Sequence, residues 1–399
     1  MDRERLTTQR GHANIFRLTC PGRHRTLGQW PMRIPHMGAH QSASACLNRR
    51  NRRAHRVIGV HHAGQHTRGF GKGDQKGGKM SVAIGYVPGA FGQGGQDPLF
   101  LRQLVQVGDT YGYDSLWLSD RIVGQQFSLE PIVALSMVAA YSDRLKFGTS
   151  VLALPIRNPV VLAKQIATLD YLSRGRCFPA VGLGQDDPTE YEACGVSKSD
   201  RGQRTDEAIV LMRRLWQEDH VTHEGAFFTC HDVSITPKPC LQPSPPVWIG
   251  GRTVAAAKRV GRVGDGWLVS SVTPDEVRHG CDIVFATAAQ HQRAIEDDHI
   301  GVLLSYYISP DGQKAVAKAA SFVTRQRPDV PFTAFSAVGT TEHIAEMIQQ
   351  YVDAGAAKFV VRPLCPGEES MAQLEMMGQE ILPLFHTPTM STTDKARRP

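Results

Sequence analysis

The amino-acid sequence predicts an α/β fold, a (β/α)8 TIM barrel with an insertion after strand 4. Eight short apolar runs alternate with helical patterns over about 305 residues, the length and rhythm of such a barrel. The runner-up is an open doubly wound sheet. It is disfavoured because the glycine-rich loop at residues 89–95 lacks the spacing of a dinucleotide-binding turn and no helix begins inside it.

The predicted strands are rich in β-branched residues and are bounded by glycine or proline. Helix starts are marked by caps: Asn158 with Pro159 after the third strand, and a capping box from Thr273 to Glu276. Gly175 ends the third helix. Strands are predicted at 82–87, 115–119, 146–152, 177–183, 246–251, 266–270, 301–308 and 358–362. Helices are predicted to begin near residues 97, 130, 158, 253, 273, 313, 341 and 371.

Residues 185–241 interrupt the alternation, because they are far longer than a usual connection between strand and helix. A helix is predicted at residues 205–216, followed by a hairpin of two short strands at 226–229 and 233–235. We expect this insertion to run over the mouth of the barrel.

The net charge of +7 belongs to one end of the chain. Residues 1–79 carry 16 Lys and Arg against 3 Asp and Glu, whereas the remainder carries 29 against 35. We interpret residues 1–79 as a disordered basic extension, upstream of a natural start at Met80. The alternatives are a basic arm, a targeting segment or a metal-binding tract. Residues 80–386 are expected to form the barrel, and residues 387–399 a disordered tail.

Composition also bounds the class of function. The acidic balance of the barrel region gives no case for nucleic-acid binding, and no run of about 18 apolar residues predicts a membrane span. The eight cysteines form no CxxC pair, and the histidines lack metal-ligand spacing. We therefore expect reduced thiols in a cytoplasmic protein and no metal site.

Candidate site residues follow from the barrel, whose functional residues lie at the carboxyl ends of the strands. Residues 249–253 pass from a strand into a helix start, where an exposed glycine backbone and the helix dipole favour a phosphate. The alternative is that these glycines only form a tight turn. Arg157 and Arg176 are further phosphate candidates, or simply solvated. The strand-end residues are Asp120, Arg121, Ser150, Val151, Gly182, Gly184, Gln185, Gly250, Gly251, Arg252, Ser270 and Arg362.

Several motifs together resemble the luciferase-like monooxygenases, from Met80 to about Phe385. They stand in the order typical of that family and are specific as a set. The motifs are Gly148-Thr149-Ser150-Val151, Arg157-Asn158-Pro159, Gly175-Arg176, Pro245-Pro246-Val247-Trp248-Ile249-Gly250-Gly251 and Gly264-Asp265-Gly266-Trp267.

The resemblance implies a (β/α)8 barrel that binds FMN or the deazaflavin coenzyme F420, and it is stronger to the F420-dependent branch. It implies a non-proline cis peptide bond between Ser150 and Val151, behind the ring of the cofactor. By the same resemblance, Asp120 and the Ser150–Val151 bulge contact the ring, and Gly250 and Gly251 hold the phosphate. Gly182 and Gly184 are expected to line the same mouth. The family also implies a homodimer.

Two positions depart from the pattern of this branch. Several deazaflavin enzymes carry Asp-His after the second strand, where this chain has Asp120-Arg121. The acid that follows the fourth strand in sugar-phosphate-oxidising relatives is Gln185 here. The catalytic acid and base are therefore not identified. Arg121 is a candidate for orienting an anionic substrate, with a surface salt bridge as the alternative.

The sequence thus predicts an F420-dependent oxidoreductase that transfers a hydride between the deazaflavin and a small organic substrate. One alternative is an FMN-dependent two-component monooxygenase, which uses O2 and a partner flavin reductase. An alternative of another class is a non-catalytic protein that binds flavin or deazaflavin.

Overall fold

A computed structural model of the chain describes residues 82–88, 97, 99–323 and 327–385. The expectations for residues 1–79, for the start at Met80, for the loop at 89–95 and for the tail at 387–399 lie outside the described residues. Among the helices within these ranges, none is both long enough and apolar enough to cross a membrane.

The strands are short and mostly parallel, as buried barrel strands are. In chain order they are β1 (Ala83–Tyr86), β2 (Ser115–Leu118), β3 (Lys146–Thr149), β4 (Leu152–Ala153), β5 (Cys177–Phe178), β6 (Ala180–Gly182), β7 (Val221–Glu224), β8 (Thr229–Val233), β9 (Trp248–Gly250), β10 (Gly266–Ser270), β11 (Ile300–Ile308), β12 (Ser336–Gly339) and β13 (Lys358–Pro363).

These strands close into the predicted barrel. The fourth barrel strand is divided into β5 and β6 at Pro179, because proline has no backbone N–H to donate. β5 pairs with β3 and β6 pairs with β9, so the sheet closes through the two halves of one strand. The wall then continues through β10, β11, β13, β1 and β2 back to β3.

Helices surround the sheet and begin at the predicted caps. The Asn158 side chain accepts hydrogen bonds from the backbone N–H groups of Val160 and Val161, and the capping box of Thr273 and Glu276 is present. The helices are α1 (Phe100–Tyr111), α2 (Pro131–Tyr141), α3 (Pro159–Ser173), α4 (Pro188–Ala193), α5 (Arg201–Gln217), α6 (Val254–Val263), α7 (Pro274–Gln290), α8 (Gly312–Ala320), α9 (Thr341–Asp353), α10 (Ser370–Met376) and α11 (Leu382–Phe385).

Two tryptophans belong to the buried cluster inside the barrel, below the carboxyl ends of the strands. A Cβ atom at Gly148 would stand 2.7 Å from the ring of Trp117. A Cβ atom at Gly266 would stand 2.6 Å from the ring of Trp248. These glycines make room for the indole rings, so the lower part of the barrel is a packed core.

Several predicted details were wrong. The hairpin of the insertion is β7 with β8, several residues before the predicted positions, because its side chains are largely exposed and give no apolar alternation to read. Neither α4 nor β12 was predicted, because they are only six and four residues long. The helix predicted at residues 313–324 ends at Ala320.

Candidate active site

A bulge after β3 carries Val151 into the interior of the barrel. The Ser150–Val151 peptide bond is cis, which confirms the geometry that the resemblance implied. A Cβ atom at Gly182 would stand 2.6 Å from Cγ2 of Val151, and one at Gly250 would stand 2.7 Å from its Cγ1. The two glycines lie on different strands, so Val151 fills the space between β6 and β9.

Gly182 and Gly250 were expected to line the mouth and to hold the phosphate, but the structure shows that they also make room for the Val151 side chain. Neither Gly182 nor Gly250 has a positive φ, and each is small because the Val151 side chain occupies the adjacent space. Gly184 and Gly251 do have positive φ values, +84° and +126°, and both are exposed. Gly184 and Gly251 therefore supply the open backbone at the mouth.

Ser150 provides an unsatisfied polar atom beside this bulge. Its Oγ atom is buried and has no hydrogen-bond partner within the described residues. Buried polar groups are normally paired, and an exception calls for an explanation such as a ligand or a water molecule. The Ser150 hydroxyl can both donate and accept a hydrogen bond, which fits the polar edge of a flavin or deazaflavin ring.

The first turn of α6 is open to solvent, as a phosphate site requires. Gly251, Arg252 and Thr253 are exposed, and the carbonyl of Gly251 accepts a hydrogen bond of 2.8 Å from Nε1 of Trp267. The Thr253 side chain caps the helix. A cavity of about 470 Å³ adjoins this turn between α6 and α7, with Arg252, Thr253, Trp267 and His279 among its lining residues.

The side chain of Asp120 has no exposed surface, and neighbouring residues donate hydrogen bonds to both oxygens of its carboxylate. Its Oδ1 accepts a hydrogen bond of 2.8 Å from Nη2 of Arg157, and its Oδ2 accepts one of 2.9 Å from the backbone N–H of Ala153. Burial raises the pKa of Asp120, and Arg157 opposes that rise. A contact between Asp120 and the cofactor stays a prediction.

Arg121 joins the loop after β2 to the insertion. Its Nη2 lies 2.7 Å from Oδ2 of Asp187, and its Nε donates to the carbonyl of Val123. Next to it, the buried carboxylate of Glu190 accepts hydrogen bonds from the backbone N–H groups of Ile122 and Val123. The salt bridge that the sequence left as an alternative is thus present, and a role in orienting a substrate stays a prediction.

The two other arginines considered for phosphate binding are held elsewhere. Arg157 pairs with Asp120 and Glu130. Arg176 donates to the carbonyls of Ser173, Leu145 and Ala139, at the opposite end of the barrel from the mouth. Its guanidinium binds these three carbonyl groups and does not reach the first turn of α6.

The comparisons with known proteins agree with this arrangement. A family model described as luciferase-like monooxygenase matches residues 79–358. The chain belongs to the luciferase-like monooxygenase family. An F420-dependent glucose-6-phosphate dehydrogenase of Kineococcus radiotolerans is 28% identical over 306 residues, which cover 69% of this chain and 89% of that protein.

Solved structures of two oxidoreductases share the fold. One is an F420-dependent secondary alcohol dehydrogenase in complex with an F420–acetone adduct, with a TM-score of 0.65 and 22% sequence identity. The alignment covers 77% of this chain and the whole of that chain. Another is the oxygenating constituent of a type II Baeyer–Villiger monooxygenase of Pseudomonas putida in complex with FMN. It also has a TM-score of 0.65, with 15% sequence identity, and the alignment covers 77% of this chain and the whole of that chain. At these identities they establish the fold alone.

In this luciferase-like barrel, the sequence motifs found the bulge and the glycines around it, and they included Arg157, but as a phosphate candidate and not as the partner of Asp120. Asp187 and Glu190 were missed, because each is held by a partner far away in sequence. Arg362 was noted only as a strand end. Along β13, alternation from Val360, which belongs to the interior cluster, also places Arg362 on the inner side, and burial lowers its pKa. That alternation was the available signal.

Proposed function

We propose that the protein is an F420-dependent oxidoreductase acting on a small organic substrate. The observation that carries the proposal is the relative from Kineococcus, an F420-dependent enzyme matched along nearly its whole length. The bulge at Ser150 and Val151, with its unpaired buried hydroxyl, supports a ring site. The exposed first turn of α6 supports a phosphate site next to it.

Each element of the mouth has a definite task in this proposal. Ser150 and Val151 would support the ring, and the backbone of Gly250 and Gly251 would hold the phosphate. When bound, the deazaflavin supplies the hydride chemistry at its C5 atom. The residues of the chain bind and orient the reactants.

Gln185, which follows the fourth barrel strand, is exposed and offers no carboxylate for proton abstraction.

A titration of the purified protein with oxidised F420 and with oxidised FMN tests the proposal. We expect F420 to bind with micromolar or tighter affinity and FMN at least tenfold more weakly. Tight binding of FMN alone would refute the proposal and favour the two-component monooxygenase, with its partner reductase. Tight binding of F420 without turnover across a broad panel of alcohols, aldehydes and acids would favour the non-catalytic binding protein.

We also propose that the protein is a homodimer of the cytoplasm. No residue of α2 is charged, and Val133, Met137 and Tyr141 form an exposed row at i, i+4 and i+8. On the neighbouring α3, Val161 and Leu172 are also exposed. A continuous apolar face of this kind marks an interface with another chain.

Mass measurement by light scattering tests the dimer. The Met137→Lys substitution places a charge within the apolar row, and we expect it to give a monomer. Val210→Lys, on the exposed side of α5, is the matched control and should leave the mass unchanged. A wild-type monomer, or a dimer that survives the change at Met137, would contradict the assignment of this face.

A further inference from the structure

One buried ion pair connects the bulge that carries Val151 to the rest of the mouth. The side chain of Asp120 has no exposed surface, and the side chain of Arg157 is 14% exposed. Both oxygens of the carboxylate are used: Nη2 of Arg157 donates to Oδ1 at 2.8 Å, while Nε of Arg157 and the N–H of Ala153 donate to Oδ2 at 3.3 and 2.9 Å.

Arg157 also reaches the start of α2. Its Nη1 lies 2.9 Å from Oε1 of Glu130, whose other oxygen accepts a hydrogen bond from the N–H of Val133 and so caps the helix. One guanidinium therefore connects three elements: the residue after β2, the cap of α2 and, through Asp120, the chain two residues beyond Val151. Such a planar, many-donor group cannot be replaced by a lysine without loss of bonds.

We propose that Arg157 is a positioning residue, which acts through Asp120 to hold the Val151 bulge in the shape that receives the ring of the cofactor. This inference rests on the proposed function. It gives Asp120 a supporting role beneath the bulge, because its carboxylate has no exposed surface and its three hydrogen bonds go to Arg157 and Ala153.

The physical argument follows from what remains when Arg157 is removed. The Asp120 carboxylate would be a buried charge without its cation, which is strongly unfavourable. It would take up a proton or rotate, and the N–H of Ala153 would lose its partner. The bulge would then occupy its binding-competent shape for only a fraction of the time, and affinity falls in proportion to that fraction.

Binding measurements with a double-mutant cycle test this proposal. We expect Arg157→Met to weaken binding of oxidised F420 about tenfold or more, which corresponds to a competent fraction of one tenth or less. Arg157→Lys should lie between this variant and the wild type. Asp120→Asn combined with Arg157→Met should bind no more weakly than R157M alone, since both changes break the same unit.

The matched control is Arg176→Met. Arg176 is also half-buried and bridges three backbone carbonyls, but at the other end of the barrel. We expect R176M to unfold at a lower temperature while the folded protein keeps its affinity within about twofold, because the bulge is untouched. Unchanged affinity in R157M, or multiplicative effects of D120N and R157M, would overturn the proposal.

Hydrogen exchange of the ligand-free protein gives a second readout that needs no cofactor. We expect amides 151–153 to exchange at least tenfold faster in R157M and R157K than in the wild type, and at the wild-type rate in R176M. Equal exchange in all four proteins would overturn the inference. If the wild type binds FMN and not F420, the proposed function fails, while the exchange result and the same cycle with FMN still decide the role of Arg157.

Discussion

The Gly182→Ala substitution tests whether the Val151 side chain shapes the mouth of the barrel. The new methyl group would stand 2.6 Å from Cγ2 of Val151 but 3.6 Å from its Cβ. Carbon atoms in contact prefer about 3.5–4.0 Å, so one side has to move by about 1 Å. Overpacking of a core in this way typically costs about 1–3 kcal/mol, and we expect the free energy of unfolding to fall by that amount.

A second substitution, Val151→Ala, should relieve the clash. It removes both methyl groups, and the nearest remaining atom of residue 151 is then Cβ, at an ordinary contact distance of 3.6 Å. V151A has a cost of its own, because it leaves a cavity between β6 and β9. The methyl group at position 182 fills part of that cavity. We therefore expect the double variant to be more stable than the sum of the single effects by about 1 kcal/mol or more.

Urea unfolding of the ligand-free variants, followed by tryptophan fluorescence, measures these differences. Gly312→Ala is the matched control, because no atom lies within 4 Å of a Cβ placed there and α8 begins at that residue. Alanine at this helical position should be neutral or stabilise by up to about 1 kcal/mol. Additive effects of G182A and V151A, or a G182A variant as stable as the wild type, would refute the reasoning.

Two further predictions concern titratable groups outside the Val151 bulge. Among the six cysteines of the described residues, Cys240 is exposed and should react before the others with an aromatic disulfide reagent, whereas burial raises the pKa of Cys281 and Cys365 to about 11 and should slow their reaction until the protein unfolds. Hydrogen bonds from Arg327 lower the pKa of Glu276, so its contribution to stability is present above about pH 4.3 and is lost as the pH falls through the lowered pKa. The difference in unfolding midpoint between wild type and E276Q should therefore shrink from pH 6 to pH 3, and a constant difference would contradict this assignment.

Local signals in the sequence predicted most of the barrel because they depend only on neighbouring residues. The cap at Asn158, the stop at Gly175 and the capping box at Thr273 are each present. The hairpin in the insertion was placed wrongly, because strands such as β8 expose both faces and carry no period to detect.

The sequence by itself determined the alternation of strands and helices and the family motifs, and the resemblance that those motifs carry implied the cis bond before Val151. Strand period, helix caps and short motifs are properties of adjacent residues, so they can be read without knowing what packs against them. The tertiary structure alone decided which partner each charged residue of the mouth receives. Asp120 pairs with Arg157, 37 positions away, and Arg121 pairs with Asp187, 66 positions away. Those pairs depend on the register in which the barrel closes, and register joins strand ends that no local pattern connects.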